Sequence, residues 1–432
     1  MTAPSYQAMQ HALYSGDTSE VRRLLQHHPE LREAVNQPLF PFDSPALVHV
    51  AGRDDVALVD VLLEFGADPN RRSDWWAGGF HPLHSASDHV AERLLAAGAI
   101  PDACAAAHLD RPDLLRQILD EDPARVHERG GDGQTPLHFA RSRTIVDMLL
   151  DAGAALDAKD IDHRSTPAQW MLDRRRGAGR YELAGYLVER GATSDIFLAA
   201  ALGLTDRVRH MLRSQPTLLD LRSTQGEYAE RPPSSFHIYM WTLGPNLSPL
   251  QVAAQFEQAE ALEVMLEAAT PAQQLVFACR RGDTARARAL VASHPRIIDS
   301  LGIRDLRALP DAAWEGDTPA VELMLELGFD PLTPGHDGGL ALHCAAWQGV
   351  PSCVAAILRH PSARTLVERR ESTYGGVALD WCLHGSQHCG DPRSDHATVA
   401  RLLLEAGSPM PRSVEAASPA VRAVVEGWRP AR

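Results

Sequence analysis

The chain has 432 residues, 44% of them hydrophobic and 23% charged, a globular composition that excludes a disordered or collagen-like chain. Lys and Arg number 42 against 56 Asp and Glu, a formal charge of -14, with Lys159 as the only lysine. Such an acidic chain is expected to bind neither nucleic acid nor an anionic membrane.

The longest apolar run, Ile196 to Leu204, is far short of the roughly 20 residues that cross a bilayer, so no membrane span is expected. The first thirty residues carry Asp17, Glu20, Arg22 and Arg23 and no apolar stretch, which predicts no signal peptide. Cys104, Cys279, Cys344, Cys353, Cys382 and Cys389 are spread too thinly for a disulfide framework. A reduced, cytoplasmic protein is the expectation.

In chain order, the segment 1–37 has polar positions from Tyr6 to Asn36 and a helix ending at Pro29, and it reads as a capping unit. Val59 to Asn70 closes a second unit, His81-Pro82-Leu83-His84 opens the next, and Leu94 to Ala99 closes it. The clearest copy is Thr135-Pro136-Leu137-His138-Phe139-Ala140, then Ile145 to Leu150, then Gly153-Ala154. Thr caps a helix, Pro occupies the first turn where a missing N–H costs nothing, and a second helix with paired leucines stops at Gly. This is a helix-turn-helix unit of about 33 residues.

Later copies open at Thr166-Pro167-Ala168-Gln169, Ser248-Pro249-Leu250-Gln251 and Leu340-Ala341-Leu342-His343. Others close at Leu187 to Ala192, Met324 to Asp330 and Leu402 to Gly407. A variant form ends in proline, at Pro29, Pro123, Pro216 and Pro295; the first three are almost equally spaced, which suggests duplication of a three-unit block. The segment 411–432, with its amphipathic stretch Ser413 to Trp428, reads as a terminal cap. Because a helix pair this short cannot bury its own apolar stripe, about twelve units must stack on one another.

From roughly 6 to 410 the chain resembles an ankyrin-repeat protein in its bacterial, multi-repeat form, on the Thr-Pro-Leu-His motif and the Leu-Leu…Gly-Ala-Asp ending. The resemblance implies an all-α solenoid, single from 1 to 432, with short hairpin tips and a concave face that binds other proteins. It also implies that His84, His138 and His343 tie neighbouring loops by hydrogen bonds, and it makes Gly130-Gly131-Asp132-Gly133 a repeat's hairpin tip.

Three clusters remain as candidate sites. The insertion 222–246 holds Pro232 and Pro233, which argue against helix, and then Phe236-His237-Ile238-Tyr239-Met240-Trp241. It either folds back as packing or lines a binding pocket. Trp75 and Trp76 stand where a hairpin tip belongs and either face a ligand or pack against the next tip. In the last full unit Asp380 and His384, with Trp381 between them, share a helix face. That pair either orients a general base, with the imidazole pKa raised, or serves as a cap hydrogen bond.

Cys382, His384, His388 and Cys389, with Asp391, Asp395 and His396, contain one half of a zinc spacing, and no metal or cofactor is expected. No nucleophile elbow, phosphate loop or HExxH is present. The expected function is therefore recognition of another protein or peptide by a monomer, through Trp75, Trp76, Phe236, His237, Tyr239, Trp241, Trp381 and His384. The alternative is an enzyme whose concave pocket is closed by the insertion, with His237 and Tyr239 or Asp380 and His384 moving protons.

Overall fold

A computed structural model describes residues 4–173 and 178–429. Among them every regular element is a helix; the only bridges are the isolated pairs Phe40 with Ser44 and Arg231 with Ser234. The all-α class thus stands, and the hairpin tips are turns rather than strands. Backbone hydrogen bonds close the tips, such as Gly130 N–H to Gln134 O at 2.9 Å and Glu371 N–H to Gly376 O at 3.0 Å.

Among the described residues the helices alternate as twelve pairs, from Pro4–Ser15 with Thr18–His27 to Ala378–His388 with His396–Glu405, followed by Pro419–Gly427. They divide into two compact units, Met1–Met265 and Leu266–Arg432.

The repeat motif explains each pair locally. Pro136 opens Pro136–Phe139 behind Thr135, and the His138 Nδ1 accepts the Thr135 N–H at 3.0 Å. The other ring nitrogen of His138 donates to the Ser165 carbonyl at 3.1 Å, tying one repeat to the next. His343 does the same with the Leu340 N–H and the Gly376 carbonyl. Second helices begin on short polar caps: Asp55 accepts from Leu58 N–H at 2.9 Å, and Asp317 from Ala320 N–H at 3.1 Å. They end where Gly153, at φ 95°, lets Ala154 N–H return to Leu149 O at 2.8 Å.

The proline-ended variant is a distinct structure. Thr18–His27, Pro112–Glu121 and Thr205–Ser214 each run for 10 residues, and the proline then starts a further short helix at Pro29–Glu33, Pro123–His127 or Pro216–Asp220.

Stacked leucines hold the pairs together. In the first unit Leu24, Leu25, Leu47, Leu58, Leu62, Leu83 and Leu94 are buried in one cluster. In the second, Leu309, Leu342 and Leu379 from successive first helices meet Val321, Met324, Val354, Ile357 and Leu403 from the second helices. Each such side chain contributes about 1.5–3 kcal/mol, which a lone pair of helices could not collect.

Candidate functional site

In the unit Leu266–Arg432 three first helices follow one another, Ala308–Trp314, Ala341–Gln348 and Ala378–His388, and pack side by side. At the seventh position of each stands an aromatic ring: Trp314, Trp347 and His384. Trp314 and Trp347 lie nearly parallel, 6.1 Å between centroids and 14° between planes. His384 continues the row at 5.1 Å from Trp347, and Trp381 meets Trp347 edge-on at 6.1 Å.

This row floors a groove of about 750 Å³, open on one side. Arg370 and the tip residues Tyr374 to Val377 make one wall, and Pro409 to Ser413, after the last second helix, make the other. The tip is held from within by Glu371, whose buried carboxylate accepts the N–H groups of Thr373 at 2.5 Å, Tyr374 at 2.9 Å and Gly376 at 2.9 Å. Burial raises the Glu371 pKa, but those N–H groups outweigh it and leave the carboxyl below its ordinary value. The ordered tip presents Tyr374, 71% exposed, with its ring 6.4 Å from Trp381.

Of the predicted residues, Trp381 and His384 meet in this groove. Trp381 is buried to 7% and His384 is exposed. Of the two readings of Asp380, the geometry favours the cap hydrogen bond. Asp380 accepts the Val377 N–H at 3.0 Å and faces Arg370 at 3.9 Å, so its carboxylate is committed to the helix start. Partial burial, together with the His388 ring tilted 4.3 Å away, lowers the His384 pKa rather than raising it. Nor do the neighbouring cysteines gather: the Cys382 thiol donates to His396 O at 3.3 Å, and Cys389 lies 3.1 Å from the Ser394 hydroxyl.

The insertion belongs to the first unit, where it folds back onto the array. Tyr239 is fully buried and its hydroxyl donates to Asp195 at 2.9 Å, joined there by Tyr228 at 3.3 Å. His237 is 5% exposed, wedged between Tyr228 and Tyr239, and burial drives its pKa down to about 3. Burial likewise pushes the Tyr239 hydroxyl well up. Both side chains are thus part of the packing that holds the insertion against the array. Phe236 is half-buried and its carbonyl accepts from His163 Nδ1 at 2.9 Å. Trp241 stays 43% exposed, edge-on to His163 at 4.7 Å, and a short helix, Tyr239–Thr242, forms despite the prolines upstream.

Trp75 and Trp76 form a third aromatic patch, also in the first unit. Trp75 packs against Phe42 at 5.3 Å, and Phe42 in turn against Phe80 at 5.4 Å. Trp75 is thus part of tip-to-tip packing, while Trp76 and Phe42 remain 44% and 51% exposed.

Residues 132–161 match the family model described as ankyrin repeat. Human cyclin-dependent kinase 4 inhibitor B is 33% identical over 149 residues, covering 34% of this chain and 88% of that protein. The chain belongs to the ankyrin-repeat family. Mouse ankyrin repeat and SAM domain-containing protein 6 is 30% identical over 146 residues, 31% of this chain, and the chain spans only 16% of that relative's length. The solved human ASB11 ankyrin repeat domain aligns at 16% identity over 70% of this chain and 96% of that one, with a TM-score of 0.24.

The ankyrin register shows which residues the sequence reading missed and how it could have found them. Trp314 and Trp347 close the segments Ala308 to Trp314 and Ala341 to Trp347, and His384 takes the same place after Ala378. Aligning these ankyrin units by their Ala-Leu starts puts three rings in one column. Glu371 carried no such signal, because its role depends on a turn that brings three N–H groups to one carboxylate.

Proposed function

We propose that this ankyrin-repeat chain is a protein-recognition module whose partner, a protein or peptide, seats an apolar anchor in the groove of the unit Leu266–Arg432. The observation that carries this reading is the row of Trp314, Trp347, Trp381 and His384, left open between the Tyr374 tip and the segment 409–413. Large rings held on packed helices offer area with little rotamer entropy left to lose, which is how a few residues come to dominate binding. Arg370, Arg412 and Asp337 around the groove supply polar contacts to a chain lying across it. Trp76 and Trp241 are the remaining exposed predicted anchors, on the first unit.

One relative is named as an inhibitor of cyclin-dependent kinase 4, a protein that acts on another protein, and this agrees with the reading. Further parts of the proposal are a monomer and a cytoplasmic setting. All six cysteines are free thiols, five of them buried, as a reducing compartment allows. Among the described residues no helix is long and apolar enough to cross a membrane.

Photo-crosslinking tests the groove. A photoreactive amino acid placed at Met410, which is 55% exposed on the rim, should capture a discrete adduct in cells. Tyr374→Ala should reduce that adduct by roughly 30-fold, the loss of a hot-spot residue worth about 2 kcal/mol. Equal capture from a control position on a second helix, such as Glu322, or no effect of Tyr374→Ala, overturns the proposal.

A further inference from the structure

Among the described residues two buried groups bring His, Cys and Asp donor atoms within 4.8 Å of one another. They differ in whether those donors are already used. In the first, His84 Nε2 lies 2.9 Å from Asp102, Arg72 pairs with the same carboxylate, and the Ala105 N–H donates to it at 2.7 Å. Every one of its charges is answered, and Asp102 has no capacity left for an ion.

The second group, Asp132, Asp162 and His163, is not closed in this way. The His163 Nε2 lies 3.6 Å from Asp162 Oδ2 and 3.8 Å from Asp132 Oδ2, both too long for hydrogen bonds. All three side chains are at least nine-tenths buried, at 9%, 8% and 1% exposure for His163, Asp132 and Asp162. Asp132 Oδ1 is buried with no hydrogen bond, as is the Trp75 indole N–H.

The outer contacts fix the orientation of the donors. His163 Nδ1 donates to the Phe236 carbonyl at 2.9 Å, so in the neutral ring the lone pair is on Nε2 and faces the two carboxylates. Asp162 is held by the Ser235 N–H at 2.9 Å and the Ser235 hydroxyl at 3.1 Å. A ring nitrogen anchored on a carbonyl and a carboxylate anchored on donors are the supports that metal ligands use.

Charge points the same way. Asp160 stands beside the group, its oxygens taken by the Trp170 indole at 2.9 Å and by backbone N–H groups including that of Ser165 at 2.9 Å. The nearby Arg164 guanidinium donates to the Ala229 carbonyl at 2.8 Å and the Ser235 carbonyl at 3.2 Å. Three buried carboxyls thus lie together, and a divalent cation between Asp132 and Asp162 offsets their mutual repulsion.

We propose that Asp132, Asp162 and His163 bind a divalent transition ion of the zinc class. An ion at ~2.0–2.2 Å from each donor places the donors roughly 3.3–3.6 Å apart, against 3.6 Å and 3.8 Å from His163 Nε2 to the two carboxylates and at most 4.8 Å across the whole group. Imidazole nitrogen with two carboxylates suits zinc or cobalt better than calcium or magnesium, which take all-oxygen shells. The ion would pin three pieces of chain together: the tip at 130–134, the tip at 160–165, and the insertion through Phe236 and Ser235.

The test uses the intact protein. After dialysis against zinc chloride and then against metal-free buffer, elemental analysis should find one zinc per chain. Anomalous diffraction from zinc-loaded crystals should place it between Asp132, Asp162 and His163. Ser235→Ala, which leaves all three ligands in place, should weaken zinc binding by roughly 10-fold in a competition titration. His384→Ala with His388→Ala, which removes the neighbouring imidazoles of the groove, should retain the full equivalent. No retained zinc, or an anomalous peak elsewhere with none at this site, overturns the proposal.

Discussion

Burial keeps His138 and His108 neutral, and this makes the fold sensitive to acid. His138 is fully buried, with Nδ1 accepting from Thr135 N–H and Nε2 donating to Ser165 O, and burial lowers its pKa to about 3. His108 is lowered to about 4, again by burial. The unfolded chain has these groups near their ordinary 6.5, so below that pH the unfolded state binds more protons and folding loses free energy. Stability is therefore complete above about pH 6.5 and falls as pH drops towards 4, by about 1.4 kcal/mol per pH unit for each fully shifted group. The chain itself supplies the control. At the same motif position Gln169 Oε1 accepts Thr166 N–H at 2.8 Å and Gln251 Oε1 accepts Ser248 N–H at 2.8 Å. His138→Gln should keep the cap and flatten the acid limb in urea denaturation between pH 7 and 5. An unchanged slope there would refute the assignment.

At the scale of elements, glycine shows where two helices approach too closely for a side chain. A Cβ on Gly385 would lie 2.2 Å from the Trp347 carbonyl oxygen and 2.9 Å from its carbon, and a backbone neighbour cannot turn aside. Gly185, in Ala178–Glu189, has nothing within 4 Å of the same point. Alanine favours a helix over glycine by roughly 0.5–1 kcal/mol, so Gly185→Ala should raise the melting temperature. Gly385→Ala gains the same propensity, but wedging apart Ala341–Gln348 and Ala378–His388 costs about 1–3 kcal/mol, so it should lower the melting temperature. Thermal denaturation of the two variants side by side checks both signs. The same contrast shows what was legible in the sequence. The helix pairs, their Thr-Pro starts and their glycine ends could be read directly, because each depends on neighbours within a few residues. The Trp314–Trp347–His384 row needed the repeats aligned across the chain. The burial of His237 and Tyr239 could not be read at all, since Asp195 and Ser165, which hold the insertion down, lie 44 and 73 residues away from their partners Tyr239 and Ile238.

At the scale of the whole chain, twelve helix pairs whose leucines mostly meet neighbours in sequence should share stability locally rather than as one block. Leu58 and Leu342 are both fully buried, the first in the unit Met1–Met265 and the second in Leu266–Arg432. Truncating either to alanine removes about 2–5 kcal/mol from its surroundings. In a cooperative globule that loss would appear at every slowly exchanging amide, because all of them open together. In a stacked array it should appear in the altered repeat and its neighbours and fade with distance along the chain. Hydrogen exchange read by mass spectrometry should therefore show Leu58→Ala deprotecting the helices Ala46–Val50, Val56–Glu64 and Asp88–Ala96 while those beyond 308 keep their protection. Leu342→Ala should do the reverse, loosening Ala308–Trp314, Ala341–Gln348 and Ala378–His388. A uniform loss from either variant would mean that the whole chain opens as one, and that the repeats do not hold their stability locally. The local outcome also bears on function: a groove floored by three adjacent repeats can then be tuned or lost without unfolding the rest.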